Sequence, residues 1–125
     1  MSASYEAVLF PTSPENPRNG EADIVELPDG TLYLVYGRFT GPEDNAAADF
    51  RGLFSTDGGR TWDGEHVMQE NIGRENVMCA NLLVLQDGRV AFVFMVKNSQ
   101  VHGLKDCRPY VKFSSDGCRT WTEPS

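Results

Sequence analysis

The titratable and nucleophilic side chains of this sequence exclude several chemistries by their spacing before they suggest any. Cys79, Cys107 and Cys118 lie too far apart for a Cys-x-x-Cys metal knuckle, and three thiols cannot all pair within one chain. Free thiols are the default, with a single disulfide open to an oxidising compartment. His66 and His102 each lack a second histidine or carboxylate at ligand spacing, so no metal site is assigned and no cofactor is expected. The chemistry that does recur is that of a turn. SerThrAspGlyGlyArgThrTrp at 55–62 returns 59 positions later as SerSerAspGlyCysArgThrTrp at 114–121. Asp57 and Asp116 are placed to accept hydrogen bonds from the turn's own N–H groups, beside Ser55, Thr61, Ser114 and Thr120. Gly59 supplies a permissive dihedral, and Cys118 is read into a variable position of the second copy. Trp62 and Trp121 are expected to tuck under the corner and bury much of their rings. On this reading both aspartates form turns and neither is a catalytic carboxylate.

The elements that must position these corners are strands. A second landmark, LeuProAspGlyThrLeuTyrLeuValTyr from Leu27, returns 58 positions later from Leu85, so two separate motifs share nearly one period and the chain is a duplication. Within each copy, β-branched and aromatic residues cluster between turn signals. The pattern predicts strands near 22–27, 31–37, 49–55, 61–68, 78–85, 89–97 and 108–114, with no helix. AspGly at 29–30 and 87–88 marks tight hairpins, because glycine accepts a positive φ without steric cost. Val90–Val96 is apolar on both faces, as in a strand covered by sheets in front and behind. The organisation expected is therefore an N-terminal segment over 1–20, one four-stranded meander over 21–70, and a second over 71–125 that runs out after Trp121. Together they make an all-β chain of about two four-stranded antiparallel blades of a β-propeller.

Composition narrows the partners. The 125 residues carry 11 Lys and Arg against 18 Asp and Glu, a net charge of −7, so no broad basic face exists for nucleic acid. No apolar run reaches the roughly 20 residues of a membrane span, and Met1–Phe10 has neither a basic start nor an apolar stretch of signal-peptide length. The chain reads as soluble and unexported, cytoplasmic by default.

The duplicated Ser-Xaa-Asp-Xaa-Gly-Xaa-Thr-Trp corner resembles the Asp-box, or BNR repeat, of the sialidase (neuraminidase) superfamily. From about Asn16 to Pro124 the chain is similar to bacterial exo-α-sialidase-like BNR proteins. The resemblance implies a six-bladed propeller of which this chain supplies about two blades, with the boxes away from the catalytic mouth. It implies action on a terminal sialic acid or related acidic sugar. Arginines would clamp the sugar carboxylate, an aspartate would act as acid and base, and a tyrosine paired with glutamate would be the nucleophile. Arginine suits that task because its fork of donors matches a planar carboxylate. A tyrosine nucleophile avoids the repulsion that an anionic carboxylate feels toward an anionic sugar.

Carried over residue by residue, the resemblance makes Arg18 the first arginine of the clamp and Asp44 the acid and base, with Glu43 and Asp49 as rivals. Arg108 and Tyr110 become further pocket candidates, although Arg108 is equally placed to pair with Asp106. The nucleophilic tyrosine and its glutamate are expected beyond residue 125, so this chain alone should not turn over substrate. Two blades leave two flanks, and side chains such as Phe92, Phe94 and Met95 suggest exposed apolar surface, to be covered by further blades or by self-association. The alternative function is a non-catalytic BNR propeller that binds glycan or protein.

Overall fold

A computed structural model describes residues 4–101 and 104–125, so His102 lies outside the described residues. The chain folds as seven strands: β1 (Arg18–Glu26), β2 (Leu32–Phe39), β3 (Ala48–Ser55), β4 (Asp63–Gln69), β5 (Asn76–Val84), β6 (Val90–Val101) and β7 (Leu104–Ser114). They form two antiparallel meanders, β1-β2-β3-β4 and β5-β6-β7, and the described residues contain no helix. Correspondingly, no helix among them is long and apolar enough to cross a membrane.

The duplication is visible in the backbone. Gly30 and Gly88 close the two AspGly hairpins at φ of 86° and 87°, each donating its N–H to the leucine that opens the turn. The first strand of each sheet carries a β-bulge at a matching place, between Asn19 and Ala22 in β1 and between Met78 and Asn81 in β5. Past Trp121 the chain pairs with β7 again, through Thr122 N–H to Phe113 O at 2.8 Å and reciprocal bonds between Val111 and Ser125. This is where the fourth strand of the second meander was expected to start.

The two sheets pack face to face. Tyr33, Val35 and Phe50 of the first sheet bury against Val77, Val90, Phe92, Phe94 and Val96 of the second. Phe50 meets Phe92 edge-on at 5.0 Å between centroids. Asp23 on β1 ties the sheets at their first strands, its Oδ2 accepting the Leu82 N–H of β5 at 2.7 Å. Phe92 and Phe94 are thus fully buried between the sheets, which corrects the expectation that they contribute exposed surface. In a pleated strand successive side chains alternate faces, so it is Val93, with Leu83 beside it in the sheet, that faces outward, at 38% and 59% exposure. The opposite face of the first sheet carries a smaller cluster, Leu34, Tyr36 and Leu53 with Trp62, which Phe10 covers by stacking on Tyr36 at 4.0 Å.

Candidate functional site

The corners and the candidate site residues occupy opposite ends of the sheets. In an antiparallel meander the β1–β2 and β3–β4 turns share one end, and the β2–β3 loop shares the other with the start of β1. Each corner is built as its residues predict. Asp57 Oδ1 accepts the N–H groups of Arg60 and Thr61, and its Oδ2 accepts the Thr61 hydroxyl at 2.6 Å. Asp116 repeats this with Arg119 and Thr120. Both carboxyls are held down to about 2, first by the threonine hydroxyl and then by backbone and serine donors. Ser55 Oγ and Ser114 Oγ accept the N–H groups of Gly59 and Cys118, each at 2.9 Å. Trp62 and Trp121 are half-buried, and Trp62 Nε1 donates to Gly59 O at 3.0 Å.

One expectation about the second corner is overturned. Cys118 does not stand in a variable position but in that of Gly59, with φ of 67° against 88°. A left-handed backbone is strained for a residue with a Cβ, and the corner holds it there through the Cys118 N–H bond to Ser114 Oγ; the side chain is fully buried in the inter-sheet cluster, and burial pushes its thiol up to about 12. All three cysteines are free.

At the other end, Arg18 opens β1 opposite Phe39 at the end of β2, and Asp44 lies in the loop that follows β2. The structure brings the two together: Arg18 Nη1 donates to Asp44 Oδ1 at 2.6 Å and to Pro42 O at 3.2 Å. The guanidinium also sits 4.6 Å over the Phe39 ring, which fixes its plane. Side-chain exposures of 31% and 73% leave the pair open to solvent. Such a pair contributes about 0–1 kcal/mol to stability, so the fold does not depend on it. Of the rivals to Asp44, Asp49 is bound by Arg51 through two bonds of 2.9 Å, and the Glu43 carbonyl accepts the Ala46 N–H within the loop.

Arg108 and Tyr110 lie on β7 and line a polar cavity of about 290 Å³ with Arg74, Asn98 and Asp106. Arg108 Nε donates to Asp106 Oδ1 at 2.8 Å, the pairing weighed from the sequence, and Tyr110 packs its ring near Phe94. Arg74, which lines the same cavity, is a residue that the sequence reading missed. It lies in the connection between the sheets, where no motif marks it, and its backbone N–H donates to Asn98 Oδ1.

Two more residues escaped the sequence reading. Asn76, fully buried at the start of β5, donates its amide to Asp44 O at 2.7 Å and to Ala46 O at 2.9 Å. Lys97 Nζ donates to Asp44 O at 3.0 Å and lies 3.7 Å from Glu75. The loop bearing Asp44 is thus held from the second sheet.

His66 is structural. Its Nδ1 faces Gly64 O at 2.7 Å and therefore carries the proton, leaving Nε2 to accept from the buried Tyr33 hydroxyl at 3.0 Å. A tyrosine–glutamate pair is also present: Tyr36 donates to Glu65 Oε1 at 2.6 Å. Burial, and then the bond to Glu65, push the phenol up, opposite to what a nucleophile needs, and Phe10 covers its ring. Among the described residues no cluster of three or more His, Cys, Asp or Glu is arranged to hold a metal ion.

No family model and no curated protein matches the sequence. Among solved structures, the fold is similar to that of a protein of unknown function from Dyadobacter fermentans DSM 18053, with a TM-score of 0.73 over 91% of this chain at 16% identity. That likeness is one of fold, and this chain spans 37% of the length of that protein.

Proposed function

We propose that the chain is part of a sialidase-like β-propeller hydrolase acting on a terminal sialic acid or related acidic sugar, with Arg18 receiving the sugar carboxylate and Asp44 beside it as acid and base. The observation that carries this reading is the contact between Arg18 and Asp44 at 2.6 Å, the two residues to which the resemblance gives the clamp and the acid–base role, 26 positions apart in sequence. A guanidinium offers five donors, so a second carboxylate can join Asp44 around Arg18. Its cation locally opposes the repulsion that a net charge of −7 presents to an acidic sugar. The duplicated corners at the far end fit the Asp-box arrangement, in which boxes brace the sheets and leave the loop end for ligand.

The test compares N-acetylneuraminic acid with its methyl ester in NMR titrations of the 125-residue chain. Binding of the acid alone, weakened about tenfold in Arg18→Lys, which keeps the charge but loses the fork, supports the reading. Equal binding of acid and ester overturns it. The nucleophile belongs elsewhere in this scheme, so hydrolysis is tested in the longest natural form of the protein, where Asp44→Ala abolishes turnover and spares binding.

One observation favours a non-catalytic glycan-binding propeller instead: Asp44 is 73% exposed, without the burial that equips a carboxyl to donate a proton near neutral pH. On that reading Asp44→Ala is silent in both assays.

A further inference from the structure

We infer that Asn76 is the positioning residue for the Asp44 loop, so that the second sheet sets the geometry of a site whose proposed working groups belong to the first; this rests on the reading of Arg18 and Asp44 just given. The argument begins with the duplication. Arg18 opens β1 and pairs with Phe39, while Asn76 opens β5 and pairs with Lys97, each 58 positions on. The two copies use this equivalent place differently. In the first it carries a guanidinium 31% exposed at the loop end, and in the second an amide with no exposure at all.

Burial without function is an unfavourable place for an asparagine. Its Oδ1 is buried and has no hydrogen-bond partner among the described residues, so the side chain bears an unsatisfied acceptor for the sake of its two donors. Both donors go to carbonyls of one loop, Asp44 O and Ala46 O, more than 29 residues away in sequence. Lys97, its strand partner, adds a third bond to Asp44 O. Among the described residues the loop's own closures are the Thr40 N–H and hydroxyl to Ala47 O at 2.9 and 3.1 Å and the Ala46 N–H to Glu43 O at 3.1 Å. Clamping the carbonyl of Asp44 fixes where its Cα sits and hence where its carboxylate meets Arg18, which Phe39 holds from the other side. Asn76 and Lys97 thus act on the backbone of the loop and not on the side chains of Arg18 and Asp44.

The experiment uses the full chain and three readouts on Asn76→Asp, which keeps the shape while replacing donors to two carbonyls by acceptors. The expected result is that the denaturation midpoint falls, because a buried carboxyl then faces two carbonyls, and that the amides of Thr40 and Ala46 exchange about tenfold faster with solvent, beyond the change that the lower stability brings to β2 and β3 core amides. The guanidinium resonance of Arg18, resolved by NMR when held by Asp44, should also collapse toward that of a freely rotating arginine. Unchanged loop exchange and an unchanged Arg18 signal in folded Asn76→Asp overturn the inference. If that variant does not fold, Lys97→Met removes one bond and leaves the amide in place, and it must give a smaller change of the same sign in the same amides and in Arg18; no change there overturns the inference equally. Titration with N-acetylneuraminic acid separates the two claims. A loosened loop in the variant with no binding by the unaltered chain sinks the acidic-sugar reading and keeps Asn76, whereas binding by both with an unchanged loop does the reverse.

Discussion

Asp57 and Asp116 each gather four donors within a corner of seven residues, and the free energy of that arrangement is linked to protons. Their folded carboxyls titrate at about 2 against an ordinary 3.8, so each contributes stability that is complete above about pH 4 and is lost as the pH falls toward 2. The leading cause is the threonine hydroxyl, at 2.5 Å from Asp116 Oδ2 in the second corner. Thr120→Val removes that donor at constant volume. Its folded carboxyl should then titrate closer to 3.8, and urea unfolding should show the variant less stable than the parent at pH 6, with the gap closing by pH 2. A gap that stays the same across that range would mean the valine acts through packing alone. The sequence disclosed this chemistry in full, because the donors and acceptor lie within a few residues of one another. The aligned octapeptides already set Cys118 opposite Gly59, and what they do not disclose is that the cysteine keeps the left-handed backbone of that glycine, next to Gly117, which is left-handed too. Nor could the sequence reveal the contact of Arg18 with Asp44, which depends on the direction of two side chains rather than on spacing.

Strands were legible because their signal is periodic. The boundaries differ at their ends, by four residues at β1, which begins at Arg18 rather than near Ala22, where the bulge interrupts the alternation, and by as many at the end of β6 and the start of β7. Which side of a strand meets which neighbour was harder to read, and β7 shows why. Lys112 matches Leu53 of the first copy, yet its ammonium is buried between the sheets, donating to Met68 O at 2.6 Å at the foot of a groove beside Trp121. Burial depresses it from 10.5 to about 8, with Glu123 pulling weakly the other way. Between these values the unfolded chain binds more protons than the folded one, so this lysine makes stability rise as the pH rises from 8 toward 10.5. Cys118, raised to about 12, acts in the opposite sense above 9, and Tyr33 above 10, so only a comparison of variants isolates the lysine. Lys112→Met retains both. Relative to the parent, the variant should lose roughly 1–2 kcal/mol of standing between pH 7 and 10.5, after allowance for the solvent on the groove side. A pH-independent difference would show that Lys112 titrates normally in the folded chain.

At the scale of the molecule, the equivalent faces of the two copies meet different fates. Phe92, Phe94, Lys112 and Trp121 of the second copy bury against the first sheet, whereas their counterparts Leu34, Tyr36, Leu53 and Trp62 are covered by Phe10 from the N-terminal segment. The apolar run Val90–Val96 announced a strand covered on both faces. One face is covered by the first sheet, and the alternation that assigns Phe92 to it assigns Val93 to the outside. What makes one unit of the two sheets is the aromatic contact between them, and this is measurable. Phe50 and Phe92 are fully buried and edge-on at 88°, a geometry worth about 0.5–1.5 kcal/mol beyond the area it buries. Truncation of either to alanine would cost ~3–5 kcal/mol, a large part of the 5–15 kcal/mol by which a domain is stable, so leucine is the better probe. Phe50→Leu, Phe92→Leu and the double variant, compared by urea unfolding, should show a coupling of about 0.5–1.5 kcal/mol and one transition in every case. Additive losses with two separate transitions would mean that the sheets fold as independent units. The clamp from Asn76 to the Asp44 loop would then join two bodies free to part, and the loop end could not hold a fixed geometry for any ligand.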